Sequence, residues 1–323
     1  MHIPDALLDP KVAAVTGLVG EAGLLFGLRR LEREHGERTT VLMGTMSAFI
    51  FAAQMVNFPV GLGVSGHLLG GVLASVLLGP WAGAVVIAAV LLVQCFLFGD
   101  GGVTALGANF INMGLIGAVG GYAIYASIRH LIPGRKGILI AAMVAAWFSV
   151  LLASGAFAIE LGASGHRVDF LRILSWMALV HAVIGVGEAV ITGLVVRFLL
   201  VRRPDLCEWH DAMKGESRGA LRWGQTILGG LGIALAVAVF VGPFASEQPD
   251  GLEFVGEKLG FLKESPVHAP MLDYQFPGLN QVRLATAVAG LIGTLAVFGL
   301  GWGMSRVLSQ SIETSKEATA DAA

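Results

Sequence analysis

Residues 41–58 read Val41-Leu42-Met43-Gly44-Thr45-Met46-Ser47-Ala48-Phe49-Ile50-Phe51-Ala52-Ala53-Gln54-Met55-Val56-Asn57-Phe58, a run without one charged side chain. As a helix such a run rises about 27 Å, close to the ~30 Å of a bilayer's hydrocarbon core. Thr226 to Phe244 forms a second uncharged run of the same kind. The 323-residue chain is 55% hydrophobic and only 14% charged, with a mean hydropathy of +0.75. Soluble domains carry about 25% charged residues, so the apolar runs are transmembrane helices rather than one large soluble core. A net charge of −2 gives no basic face for nucleic acid or anionic lipid. The 45 glycines suit close helix packing in lipid and irregular backbone lining a cavity.

Working outward, nine spanning segments are expected at about 8–30, 39–57, 66–80, 82–98, 109–131, 137–160, 172–200, 224–244 and 282–306. The third is short and interrupted by glycine, so a full crossing there is in question. Basic residues cluster after segments one (Arg29, Arg30, Arg33, Arg38), five (Arg129, Arg135, Lys136) and seven (Arg197, Arg202, Arg203, Lys214, Arg218, Arg222). Fewer lie in the opposite connections. The positive-inside rule then places the N-terminus outside and the C-terminus inside. The polar stretch 201–223 marks a cytoplasmic linker. Two segments follow it, joined by an outer loop at 245–281, and the Ser/Thr/Ala-rich residues 307–323 are expected to be a disordered tail. Cys95 lies in an apolar run and Cys207 in a polar one, so no disulfide is expected.

The first residues are Met1-His2-Ile3-Pro4-Asp5. They lack the basic start of a secretion signal, and Asp5 and Asp9 stand where Lys or Arg belongs, so Met1 is expected to stay. An α-amine, a backbone amide and an imidazole then lie within two residues. Together they can chelate a divalent transition metal, and a fourth nitrogen would complete a planar set suited to Ni(II) or Cu(II). The alternative is an ordinary start followed by a histidine of no special role. His67, in Gly61-Leu62-Gly63-Val64-Ser65-Gly66-His67, could supply the fourth nitrogen. Irregular backbone at membrane depth is tolerated where it lines a cavity, and an ionisable residue there is a functional candidate. The duller alternative is an interfacial histidine bonded to a loop carbonyl.

Other polar residues interrupt the apolar runs. Gln54 and Asn57 end segment two, while Gln94, Asn109 and Asn112 flank the loop around Asp100. His181 and Glu188, seven apart, share one helical face. These residues and Ser65 either orient the ligands or pack helices through hydrogen bonds. The sequence contains no phosphate-binding P-loop, no His-Glu-x-x-His and no Cys-x-x-Cys.

Taken together, Met1–Asp5, Gln54–Val60 leading to Gly66–Gly70, Phe98–Gly102 with Leu106–Asn109, and His181 through Thr192 resemble the CbiM/NikM substrate-binding components of energy-coupling factor (ECF) transporters. The resemblance covers about residues 1–200. Pro249-Asp250-Gly251-Leu252-Glu253, followed by Glu257-Lys258-Leu259-Gly260-Phe261, resembles the outer-loop signature of the small CbiN/NikN partner. The resemblance implies an all-α membrane protein. A seven-helix metal-binding domain would occupy 1–200, and a two-helix module 224–306. It implies that the Met1 amine, the His2 amide and imidazole, and His67 hold Ni²⁺ or Co²⁺ as transported substrate. Asn57, Ser65, Asp100, Asn109, His181 and Glu188 would surround them. No organic cofactor is implied. The implied partners are a transmembrane coupling subunit and separate ATPase subunits, in the lipid of a bacterial cytoplasmic (inner) membrane, with no nucleic acid. The chain would then be a transporter subunit and not an enzyme, with nickel slightly favoured over cobalt. A self-contained secondary metal permease and a membrane metalloenzyme are the competing readings. Ala6 departs from the family, which has glycine there; the linker 201–223 matches no pattern.

Overall fold

The computed structural model describes residues 2–34, 37–61, 63–165, 169–207, 223–262 and 267–320. Among the described residues, seven helices are long and apolar enough to cross a membrane: Pro10–Leu31, Pro80–Phe98, Leu106–Leu131, Gly134–Ala163, Phe170–Arg202, Gly224–Phe244 and Val282–Arg306. Each lies on a segment expected from the apolar runs. Their outward faces expose Leu18, Phe26, Leu171, Leu194, Leu228 and Phe240, apolar surface of the kind that a bilayer covers.

In chain order, α1 (Pro10–Glu34) and α2 (Glu37–Gln54) lead into a two-stranded antiparallel hairpin, β1 (Phe58–Gly61) and β2 (Val64–Gly66). Then come α3 (Gly71–Leu78), α4 (Pro80–Phe98), α5 (Leu106–Leu131), α6 (Gly134–Ala163), α7 (Phe170–Arg202) and the short α8 (Pro204–Cys207). The second module holds α9 (Trp223–Ala236, continued by a π turn and a 3₁₀ turn to Phe244), α10 (Gly251–Leu259) and α11 (Val282–Ala320). Helix α6 packs along α7, and α11 and α9 pack against α2, so the second module rests on the first through its second helix.

Local chemistry sets several boundaries. Pro80 begins α4 after Gly79, where its missing N–H costs nothing. Asp169 caps α7 by accepting from Leu171 N. Three helices lose their regular pitch. α4 ends in a π-helical turn at Gln94–Phe98, α5 is π-helical over Phe110–Gly120, and α9 continues into a π turn at Val237–Val241. Such insertions recur at functional sites.

Three expectations take a different form. The segment at 66–80 does not make a spanning helix: only Gly71–Leu78 is helical, all eight residues buried. Eight residues rise about 12 Å, well short of a bilayer. Gly61, Gly63 and Gly70 all have positive φ, so the chain ahead of it turns as a hairpin and a loop instead. The segment at 39–57 is helical over Glu37–Gln54, shifted by two to three residues so that it ends ahead of the hairpin. The tail expected to be disordered from 307 continues α11 to Ala320. No glycine or proline follows Gly303 there, and Glu, Lys and Ala favour helix. Residues 321–323, and 208–222 of the expected linker, lie outside the described residues. Cys95 and Cys207 are both buried and not joined to each other.

Candidate metal site

The N-terminal strand of chain enters the bundle instead of leaving it. Ile3 N–H donates to Asn109 Oδ1 at 2.8 Å, and Asn109 Nδ2 donates back to Ile3 O at 3.1 Å. Gly102 N also donates to Ile3 O, at 2.8 Å. Asp5 accepts at one oxygen from Thr104 N (2.8 Å) and Thr104 Oγ1 (2.6 Å). Ile3 and Leu7 are buried, so hydrophobic anchors and backbone bonds fix the same segment. The fit is close at Gly102. A Cβ there would lie 2.6 Å from Asp5 Oδ1 and 2.7 Å from Asp5 Cα, which only glycine avoids. Ala6, the departure noted in the sequence, has φ +62°, a left-handed conformation that glycine adopts without strain.

This threading sets His2 beside His67. The two rings stack at 5.1 Å between centroids, 17° from parallel. His2 Nδ1 lies 3.0 Å from Asp100 Oδ1, and His2 Nε2 lies 3.2 Å from Gln94 Oε1. His67 follows β2, and its Nδ1 lies 3.0 Å from Leu68 O. A carbonyl accepts only, so Nδ1 carries the hydrogen and Nε2 the lone pair. One nitrogen of His67 thus bonds a loop carbonyl, as the duller reading of this residue expects. Burial, together with nearby positive charge, holds the His67 imidazole down at about 3, so it is neutral at physiological pH.

Two acids flank the pair. Asp100 is held well below the ordinary carboxylate range. Burial alone would raise it, but the charge of His2 and hydrogen bonds from His2 and Tyr274 outweigh burial. Asp250 Oδ2 lies 3.8 Å from His67 Nε2. Asp250 is the N-cap of α10: its side chain accepts from Leu252 N (2.7 Å) and Glu253 N (2.9 Å), while Glu253 Oε2 accepts from Asp250 N (2.9 Å). Pro249–Glu253 is therefore a capping box that presents a carboxylate to the first module. Ser65 anchors it, donating from N to Pro249 O (2.9 Å) and from Oγ to Gln248 O (2.7 Å).

Of the other expected residues, Glu188 accepts from the backbone N–H groups of Leu69 and Gly70, fixing the turn after His67. His181 Nδ1 lies 2.9 Å from Met177 O. Its Nε2 faces a cavity of about 20 Å³ lined in part by His67, Leu69, Asp250 and Gly251, room for one water. Asn57 is the exception; its backbone carbonyl accepts from Ser246 N, and among the described residues no side-chain hydrogen bond ties it to the histidines. Met1 lies outside the described residues. Among the described residues no group of three His, Cys, Asp or Glu side chains could hold a metal. A site built on His2 and His67 must therefore draw further donors from elsewhere.

Sequence reasoning left Thr104, Asp250 and Tyr274 out of the site. Asp250 was legible, because Asp followed by Glu three residues on is a capping signature. Tyr274 carried no local signal.

The family described as "Cobalt uptake substrate-specific transmembrane region" matches residues 2–206, and the PDGLE domain matches residues 224–310. A protein of Archaeoglobus fulgidus named as a fused nickel transport protein, NikMN, is 37% identical over 311 residues, 95% of this chain and 98% of that one. The fused nickel transport protein NikMN of Rhodobacter capsulatus is 33% identical over 69% of this chain and 68% of its own length. The cobalt transport protein CbiM of Geobacter sulfurreducens is 28% identical over 94% of this chain and 88% of its own. A crystal structure of a transition metal transporter superposes with a TM-score of 0.58 at 31% identity, covering 67% of this chain and all of the other. A truncated transition metal transporter gives 0.57 at 32%, over 62% and 99%. The chain is a multi-pass membrane protein that belongs to the CbiM family of nickel and cobalt transport proteins, fused in one polypeptide to a PDGLE domain.

Proposed function

We propose that this chain is the metal-capturing component of an ATP-driven ECF-type importer, taking up Ni²⁺ or Co²⁺ from the outer face of a bacterial cytoplasmic membrane. The observation that carries the reading is the stacking of His2 on His67 at 5.1 Å, with the N-terminal strand clamped by Asn109. The hydrogen bonds that hold Ile3 thereby set the neighbouring His2 ring against His67. The Met1 amine, His2 amide, His2 Nδ1 and His67 Nε2 would form the four-nitrogen site. Amine, amide and Nδ1 close fused chelate rings, and His67 Nε2 already carries its lone pair. Nickel is slightly favoured, since planar four-nitrogen geometry suits it.

In this reading the N-terminus lies outside and the C-terminus inside. Residues 1–200 form the capture domain and 224–306 a two-helix module with its loop outside. The coupling and ATPase subunits drive reorientation and release inside. The secondary-permease reading expects carboxylates along a path through the membrane. Glu188 is instead engaged with backbone N–H groups.

Calorimetry on the purified chain tests the site. His67→Ala is expected to weaken Ni²⁺ binding at least tenfold, about 1.4 kcal/mol. One residue inserted between Met1 and His2 is expected to abolish tight binding by breaking the chelate. Unchanged affinity in either variant refutes the four-nitrogen site. Uptake that persists in cells lacking the ATPase and coupling subunits refutes the ECF reading in favour of the permease.

A further inference from the structure

The loop of the second module reaches the capture site at a second place besides Asp250. Tyr274 OH donates to Asp100 Oδ2 at 2.6 Å and accepts from Gln94 Nε2 at 3.2 Å. Asp100 Oδ1 and Gln94 Oε1 are the two oxygens that face the His2 ring, at 3.0 and 3.2 Å. The four side chains close a ring: His2, Asp100, Tyr274, Gln94 and back to His2. We propose that Tyr274 is a positioning residue of the metal site, which acts through Gln94 and Asp100 to hold the His2 imidazole with Nδ1 as its ligating nitrogen.

The chemistry runs as follows. An amide side chain can present either its oxygen or its NH₂. Tyr274 takes the Gln94 NH₂, so the Gln94 oxygen faces His2 Nε2 and requires a hydrogen there. A ligating histidine characteristically donates its other ring N–H to such an oxygen, which fixes ring and tautomer. Nδ1 is thereby assigned to the metal, the nitrogen from which a chelate with the preceding amide can close; the hydrogen it shares with Asp100 Oδ1 at 3.0 Å leaves as a proton when the ion takes its place. Asp100, held by the same phenol, supplies negative charge beside the incoming cation. The phenol is pushed well above its ordinary value by burial and by the Asp100 carboxylate, so it remains an O–H donor.

The backbone around Tyr274 gives independent support. Asp273 and Tyr274 have φ of +51° and +59°, a left-handed pair that costs about 1–2 kcal/mol per non-glycine residue. Such strain persists where surrounding structure imposes it, often at functional sites. The imposing contacts are present. Tyr274 stacks on Phe98 at 4.6 Å and 14°, Met271 N donates to Leu97 O at 2.9 Å, and Val267 and Leu272 fill the space beside Gly99. The loop is thus docked on the π-helical turn that carries Gln94 and leads to Asp100.

The inference rests on the capture-site reading above, and the test separates the two. Ni²⁺ affinity of the full chain in detergent is measured by calorimetry for wild type, Tyr274→Phe, Asp100→Asn, the double variant and His67→Ala. Phenylalanine keeps the stack on Phe98 and removes only the hydroxyl. A purely structural tyrosine predicts affinity within twofold of wild type, whereas positioning predicts a loss of about tenfold. The double variant is expected to fall short of the product of the two single losses by at least threefold, because both act through one network. Affinity within twofold in Tyr274→Phe, or losses that simply multiply, overturns the proposal while a tenfold loss in His67→Ala leaves the capture site standing. No loss in His67→Ala overturns both. Where Tyr274→Phe lowers the melting temperature, the d–d absorption band of the Ni²⁺ complex decides. A displaced band is expected, and an unchanged band overturns the positioning role.

Discussion

Asn109 offers the most direct measure of what the N-terminal strap contributes. Asn109→Ala removes both bonds to Ile3, one from its N–H and one to its carbonyl. The two losses differ in size. The carbonyl keeps the bond from Gly102 N at 2.8 Å, so it loses only the net value of one hydrogen bond, about 1 kcal/mol. Among the described residues the Ile3 N–H donates to Asn109 alone, and Ile3 is 1% exposed. Leaving a buried donor unsatisfied costs about 1–3 kcal/mol. The sum is about 3 kcal/mol against the docked strand. If metal binds only the docked strand, the loss appears in full as affinity, roughly 150-fold in Kd at 1.4 kcal/mol per tenfold. Asn109→Asp keeps the acceptor for Ile3 N–H but turns an oxygen toward Ile3 O, so its loss is expected to be smaller. Calorimetric titration of each variant with Ni²⁺, beside a melting curve, reads the effect. A folded Asn109→Ala chain that binds Ni²⁺ within threefold of wild type would refute the idea that strap and site are one unit.

Three further outcomes follow from the same geometry. Ala6→Gly relieves a positive φ worth about 1 kcal/mol and is expected to tighten Ni²⁺ binding up to fivefold; weaker binding would show that the turn is not strained. Gly102→Ala forces its Cβ onto the backbone and carboxylate of Asp5, so the strand must lift and tight metal binding is expected to be lost, with normal titration curves speaking against close docking. His67, at about 3 in the folded chain against 6.5 ordinarily, is neutral when folded and protonated when unfolded between those values. Its contribution to stability is present above pH 6.5 and is lost as pH falls toward 3, by up to about 1.4 kcal/mol per pH unit. Melting temperatures measured from pH 7 to 4 should fall, most clearly in comparison with His67→Ala, and identical slopes in the two chains would refute the assignment.

How much of this was legible in the sequence depends on the length over which a signal repeats. Gly134–Ala163 and Phe170–Arg202 were readable because twenty or more apolar residues leave no alternative. The hairpin Phe58–Gly61 with Val64–Gly66 was not, because strands of four and three residues around glycines are too short for any period to show. The π turns at Gln94–Phe98 and Phe110–Gly120 have no pattern in residue type. Within the site, His2 and His67 stood out as ionisable residues beside apolar runs. Asp100, Asn109 and Glu188 stood out as polar residues interrupting them. Tyr274 did not, since its partner Asp100 is 174 positions away and nothing local records the pairing. Asn57 stood out by the same rule as Asn109, yet it is its backbone carbonyl that is engaged, accepting from Ser246 N.

The contacts around the two histidines also bear on selectivity under the proposed reading. An ion entering between them must exchange the 3.0 Å Asp100 contact at His2 Nδ1 and share His67 Nε2 with the Asp250 carboxylate 3.8 Å away. A hydrogen bond to a charged group is worth about 1.5–3 kcal/mol, so the ion must repay that much at His2 before any net affinity appears. An ion offering only bonds to imidazole gains little over these partners. One that can also displace the proton of a backbone amide, and accept amine, amide and Nδ1 in one plane, gains two chelate rings at once. That demand favours d-block ions of planar preference over Zn²⁺ and over hard ions such as Mg²⁺. It also explains why acids from both modules, Asp100 and Asp250, flank a site whose proposed donors are all nitrogen. They balance the ion's charge in a buried place and set the threshold that a poorer ligand-field ion fails to cross.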